Sequence, residues 1–174
     1  KTTFSKQING LLKPKNGTIL INGFDIKNNS TAELSKEIGY VFQNPDHQIF
    51  SSTVYDEVEY GLKRLKLTEN EREERVKDAL DFVGLSNQNK RHPFTLGKGE
   101  RQKLAVASIL AMKPKILVID EPTTGQDWNG TKRMMEIMKK LNSEGTTLIT
   151  ITHNLKLALE YSDRIIKFSD GKVE

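Results

Sequence analysis

The string Ile119-Asp120-Glu121-Pro122-Thr123-Thr124-Gly125-Gln126-Asp127 places two adjacent carboxylates after an apolar run, Ile116-Leu117-Val118-Ile119. That run reads as a buried parallel strand. Ligands of open α/β sheets bind at the carboxyl ends of strands. A carboxylate pair there suits two jobs: one member holds Mg²⁺ on a phosphate, and the other orients or deprotonates a water. Alone, the pattern fits an ordinary strand ending in a solvated acid equally well.

Further residues carry the same chemistry at other strand and helix ends. The chain opens Lys1-Thr2-Thr3. A phosphate-binding loop ends in Gly-Lys-[Ser/Thr], with the Lys on the phosphates and the hydroxyl on Mg²⁺. Phe4, Ile8, Leu11 and Leu12 follow at helical spacing, so the loop would open a helix whose N-terminus faces the anion. The chain is therefore expected to be a piece of a longer one, with the first strands and the loop's glycines upstream. Gln43 ends the strand-like run Ile38–Phe42 and offers a neutral amide to Mg²⁺ or a water. Leu96-Gly97-Lys98-Gly99-Glu100-Arg101-Gln102 opens a helix, and glycines at a helix start let backbone N–H groups approach an anion. His153 closes the run Leu148–Thr152, where an imidazole can reach a terminal phosphate.

The elements that must position these residues are alternating strands and helices. Strands are expected near Thr18–Ile21, Ile38–Phe42, Lys115–Asp120, Thr147–Thr152 and Arg164–Phe168. Asn22-Gly23 and Asp170-Gly171 signal turns. Ser30-Thr31-Ala32-Glu33 and Thr68-Glu69-Asn70-Glu71 have capping-box form. A helix from about Asn129 to Asn142 should bury Met134, Ile137, Met138 and Leu141, and Thr53–Leu65 reads as another. The organisation is α/β: one domain over 1–174, with a core of 1–44 and 114–174 and an inserted helical module over 45–113.

Composition narrows the rest. The 174 residues carry a formal charge of +4, with Lys, Arg, Asp and Glu dispersed and aromatics few, so no nucleic-acid partner is expected. There are no cysteines, which excludes disulfides and thiolate metal sites. His47, His92 and His153 lack metal-ligand spacing. No apolar run reaches the ~18 residues of a membrane span, so a membrane role must pass through a partner.

Taken in order along the chain, these features resemble the ATP-binding cassette (ABC) ATPases. Lys1-Thr2-Thr3 looks like the end of Walker A, Gln43 the Q-loop, Leu96–Gln102 the signature motif, and Ile116–Glu121 Walker B. Asp127 matches the D-loop and His153 the switch histidine. Phe42-Gln43-Asn44-Pro45-Asp46-His47-Gln48-Ile49-Phe50 and Thr53-Val54-Tyr55-Asp56-Glu57-Val58 are similar to the ATPase subunits of energy-coupling factor importers of cobalt, nickel and vitamins. The resemblance implies a P-loop NTPase (RecA-like) core with an inserted ABC α-helical subdomain, and ATP and Mg²⁺ as cofactors. It implies a head-to-tail dimer with a second ABC ATPase domain.

In that arrangement Lys1, Thr2, Thr3 and Gln43 meet the nucleotide on one domain. Gly97, Lys98, Gly99, Glu100 and Asp127 meet it from the other. Thr2, Gln43 and Asp120 hold Mg²⁺, Glu121 polarises the water, and His153 and Gln43 complete the catalytic set. A transmembrane coupling subunit would dock near Asn44–Phe50, at the cytoplasmic face of the plasma membrane. The 174-residue piece by itself is expected to be inactive. One departure stands out: the usual signature reads Leu-Ser-Gly-Gly-Gln, and here Gly97 replaces the Ser, Lys98 the first Gly and Glu100 the Gln. Lys98 would compensate for the lost hydroxyl. Two other readings stay open: a non-transport ABC ATPase of DNA repair or translation type, and a degenerate regulatory half of a heterodimer.

Overall fold

The structure, a computed structural model, describes residues 2–173; Lys1 and the side chain of Thr2 lie outside the described residues. Its centre is a parallel sheet of three strands in the order β3 (Ile38–Val41), β4 (Ile116–Asp120) and β5 (Thr147–Ile151). Val41 pairs with Ile119, and Asp120 with Ile151, so the three carboxyl ends fall on one edge. Parallel neighbours need crossovers, and the long helical segment between β3 and β4 supplies one.

Side chains alternate across the sheet with the period of two that a strand imposes. Ile38, Tyr40 and Val118 pack with Ile8 of helix α1 (Thr2–Ile8) on one face. Val41, Leu117 and Ile119 pack on the other face, against helices α3 (Val54–Leu62), α4 (Glu69–Val83), α5 (Lys98–Leu110) and α6 (Trp128–Ser143). That cluster of buried apolar side chains runs without a break from α3–α5 across β4 to α6, where Met134, Ile137, Met138 and Leu141 are all buried. Gly39 lets α5 lie close on β3: a Cβ there would overlap Ile109 Cγ2 and stand 3.0 Å from Leu117 Cδ1.

Local signals act where expected. Ser30 and Thr68 each form a capping box, with Glu33 and Glu71 reaching back to the cap backbone, and α4 ends on Gly84 at φ 72°. Asn22 and Gly23 both take positive φ and join a short hairpin of β1 (Leu20–Ile21) and β2 (Phe24–Asp25).

Three expectations need correcting. The strand expected at Thr18–Ile21 is ordered only over Leu20–Ile21, because its partner across the tight Asn22-Gly23 turn is two residues long. The strand expected over Arg164–Phe168 begins only at Phe168: Ile165 and Ile166 are exposed, and β6 (Phe168–Ser169) pairs with β7 (Lys172–Val173) across Asp170-Gly171. A β-branched run becomes a strand only where a neighbouring backbone offers a ladder, and no described strand does so there. Thr53 caps α3, which stops at Leu62, short of Leu65.

Candidate functional site

Asp120 ends β4 and is buried, at 3% exposure. Glu121 turns the chain with φ 52°, the left-handed region that non-glycine residues rarely adopt. Its N–H donates to the Ile151 carbonyl at 2.8 Å, so the turn is anchored to β5. Its carboxylate is held from the same strand end: His153 Nδ1 lies 2.9 Å from Oε1, and Thr152 Oγ1 donates to Oε2 at 3.5 Å. The two residues thus converge from adjacent strands, with the Glu121 side chain largely covered and the imidazole open to solvent.

A second buried chain of hydroxyls reaches the neighbouring carboxylate. Tyr40 on β3, 7% exposed, donates from its hydroxyl to Asp120 Oδ2 at 3.4 Å and meets Ser5 Oγ of α1 at 2.9 Å. Burial pushes the Tyr40 hydroxyl above its ordinary value, Ser5's hydrogen bond opposes the shift, and the Asp120 charge adds to it. Tyr40 therefore stays a donor at neutral pH. Sequence reasoning passed over both residues, because a tyrosine inside an apolar strand reads as filler.

Gln43 follows β3 two residues beyond Val41 and is exposed. The segment after it is fastened to α5. Arg101 Nε lies 2.6 Å from Asp46 Oδ1, and Gln48 Nε2 donates to the Ala105 carbonyl and to Ser108 Oγ at 3.0 and 3.2 Å. Buried Glu57 accepts from the N–H groups of Phe50 and Ser51 at 3.0 and 2.8 Å, closing the segment's far end. Arg101, Gln48 and Glu57 stand inside the motif strings, but sequence reasoning assigned them no role; the fold brings the partners of Arg101 and Gln48, up to 60 residues away, into reach.

The start of α5 lies against the segment that leaves β4. A Cβ on Gly125, which has φ 73°, would stand 2.5 Å from Lys98 Nζ, and a Cβ on Gly99 would stand 3.9 Å from Gln126 Oε1. Glu100 turns back and accepts from the Gly97 N–H at 2.9 Å, so its charge neutralises its own helix end. Asp127 caps α6 by accepting from Gly130 N–H at 2.6 Å. Among the described residues, no hydrogen bond or ion pair joins Gly97–Glu100 to Glu121 or His153. The candidate residues therefore fall into separate places: Gln43, Asp120, Glu121 and His153 at the sheet edge, Gly97, Lys98, Gly99 and Glu100 at the start of α5, and Asp127 at the cap of α6. Thr3 is exposed on α1, while Lys1 and the Thr2 side chain lie outside the described residues.

A cleft of about 260 Å³ opens on Glu121, Thr124, Gly125, Gln126 and His153. Thr124 Oγ1 is buried there without a hydrogen-bond partner. A larger cleft, about 430 Å³, lies between Arg75, Phe82, Lys113 and Gly145 at the opposite ends of β4 and β5, away from the carboxylates. Asp120 Oδ1 accepts no hydrogen bond among the described residues, and a carboxylate with an amide is a hard-oxygen donor set that fits Mg²⁺. No three His, Cys, Asp or Glu side chains cluster as metal ligands among the described residues. Among them, too, no helix is long and apolar enough to cross a membrane.

The parallel sheet is flanked by helices on both faces, with Asp120 and Glu121 at its carboxyl edge, and the chain shares the P-loop NTPase fold of the ABC ATPase structures it superposes on. The family profile described as ABC transporter matches residues 1–124, and the chain belongs to that family. It is 49% identical, over all of its 174 residues, to a Pyrococcus furiosus protein named provisionally as an ABC transporter ATP-binding protein. A Caldanaerobacter subterraneus protein named in the same way is 49% identical as well. The chain spans 67% of the first relative's length and 31% of the second's. Among solved structures, CbiO1 of Clostridium perfringens, part of the ABC transporter complex CbiONQ, superposes with a TM-score of 0.92 at 35% identity, over 99% of this chain and 70% of that one. The ATP-binding cassette MJ0796, solved as a dimer in a post-hydrolysis state with ADP and Pi, gives 0.87 at 31%, over 99% of this chain and 78% of that one.

Proposed function

We propose that this chain is the ATP-hydrolysing domain of an ABC importer of the energy-coupling factor type, acting at the cytoplasmic face of a membrane through a partner. The observation that carries the ATPase reading is the Glu121 carboxylate, held at the end of β4 by His153 at 2.9 Å. A carboxylate so fixed can take a proton from a water, and the imidazole can meet the terminal phosphate. Asp120 and Gln43 would hold Mg²⁺, with Thr2 as a further oxygen ligand and Lys1 and Thr3 on the phosphates. When bound, Mg²⁺ supplies charge neutralisation on the phosphate oxygens.

Among the described residues, no hydrogen bond or ion pair joins Gly97, Lys98, Gly99, Glu100 or Asp127 to Glu121, which suits a site completed by a second ABC ATPase domain placed head to tail. The dimeric MJ0796 cassette supports that arrangement. The core of 1–44 and 114–174 and the helical module of 45–113 are the parts that would shift on closure. Asn44–Phe50, fastened to α5 by Asp46 and Gln48, would carry the motion to the transmembrane subunit. The likeness to CbiO1 supports the importer reading.

The test uses the full-length protein assembled with its ATPase and membrane partners. Glu121→Gln should keep ATP binding and lose turnover by roughly 10²–10⁴-fold, the range of a lost general base. Near-normal steady-state hydrolysis would remove Glu121 from that role. Wild-type complexes in proteoliposomes should take up cobalt, nickel or a vitamin only with ATP; intact hydrolysis without uptake would overturn the importer reading alone.

A further inference from the structure

We propose that Tyr40 is a positioning residue for the metal-binding carboxylate, fixing Asp120 from below and tying it through Ser5 to helix α1. This rests on the reading of Asp120 as a Mg²⁺ ligand. Three polar side chains are involved, and all are buried: Ser5 at 0% exposure, Tyr40 at 7% and Asp120 at 3%. They stand in line, Ser5 Oγ to Tyr40 OH at 2.9 Å and Tyr40 OH to Asp120 Oδ2 at 3.4 Å. Buried hydroxyls of this kind are costly unless satisfied.

The direction of the chain follows from chemistry. A carboxylate only accepts, so Tyr40 donates to Asp120, and the Tyr40 oxygen is left to accept from Ser5. Oδ2 is thereby occupied and Oδ1 left for an ion. Rotation of the carboxylate about its last bond, otherwise nearly free, is restricted. The ring itself is held by packing: Phe42 lies 4.9 Å from it, centroid to centroid. The link also joins three separate elements, α1, β3 and β4. Helix α1 begins at Thr2, so a shift of the helix at that end would be passed to Asp120 through two hydroxyls.

The test measures Mn²⁺ affinity by electron paramagnetic resonance in full-length protein saturated with ATP, with Glu121→Gln present throughout to stop turnover. Asp120→Asn should weaken Mn²⁺ binding; if it does not, the reading of Asp120 as ligand fails, and this proposal with it. Tyr40→Phe, which keeps the ring and removes only the hydroxyl, should weaken Mn²⁺ by about tenfold, the low end for losing a partner behind a ligand. ATP affinity without metal should not change. Ser5→Ala should give a smaller loss, and the loss in Ser5→Ala with Tyr40→Phe should fall short of the two single losses combined, since Ser5 reaches Asp120 through the Tyr40 hydroxyl. If Tyr40→Phe lowers thermal stability yet leaves Mn²⁺ affinity unchanged at a temperature where the variant is folded, the hydroxyl is structural and the proposal is wrong.

Discussion

Nδ1 of His153 stands 2.9 Å from Oε1 of Glu121, and the same glutamate's N–H is bonded to Ile151, two residues before the histidine. One strand end thus holds both the backbone and the side chain of its neighbour's terminal acid. His153→Ala should lower ATP turnover, and Glu121→Gln with His153→Ala should be no slower than Glu121→Gln alone. Residues that act as a unit show such non-additivity. Steady-state hydrolysis by the four proteins of the cycle checks this; losses that multiply would mean that the two act independently.

Lys98 rests against Gly125, where a Cβ would come within 2.5 Å of its ammonium. If that cation serves a nucleotide on the facing domain, Lys98→Ala should weaken ATP-driven dimerisation by roughly threefold to tenfold at low salt. Gly97→Ser should partly restore it. Sedimentation of Glu121→Gln backgrounds across a salt series gives the answer. Unchanged dimerisation at every salt concentration would show that backbone amides alone suffice.

Gly39 faces α5 with no room to spare. Gly39→Ala would drive a methyl into Ile109 and Leu117, both held by their own packing, and should destabilise the fold by about 1–3 kcal/mol through overpacking. Urea denaturation measures it. The wild-type value would mean that α5 moves away from β3 freely.

Glu33 and Glu71 are held below the ordinary carboxyl value of 4.5 chiefly by hydrogen bonds from the backbone of Ser30 and Thr68. Glu37 is lowered chiefly by its hydrogen bond from Lys115. The unfolded chain therefore takes up protons before the folded one as pH falls. The stability these groups give is present above about pH 4.5 and is lost as pH drops through their lower folded values. Denaturation midpoints between about pH 3 and 6 should fall toward acid, and Glu71→Gln should flatten that slope. An equally steep slope in the variant would assign the acid limb to other groups.

What the sequence made legible was whatever depends on near neighbours. Both capping boxes, the Asn22-Gly23 turn and the Met-bearing face of α6 rest on spacings of a turn or less. The three central strands were legible because their apolar runs are continuous. Ile165 and Ile166 show the limit: they have the same β-branched character as Ile116 and Ile119, but no described ladder receives them. In the site, Glu121 and His153 could be named from motif order, whereas their contact could not. The contacts of Tyr40, Ser5, Arg101 and Gln48 stayed invisible for one reason: a side chain's partner 35 to 80 positions away leaves no periodic trace.

The φ of 52° at Glu121 has a consequence for engineering. A left-handed residue with a Cβ costs about 1–2 kcal/mol over glycine. A screen for heat tolerance alone would therefore favour glycine at this position and discard the Glu121 carboxylate, the base of the proposed reaction. Directed evolution of this domain needs turnover in the selection from the first round, since its most informative acid sits on a backbone that thermal selection would prefer to relax.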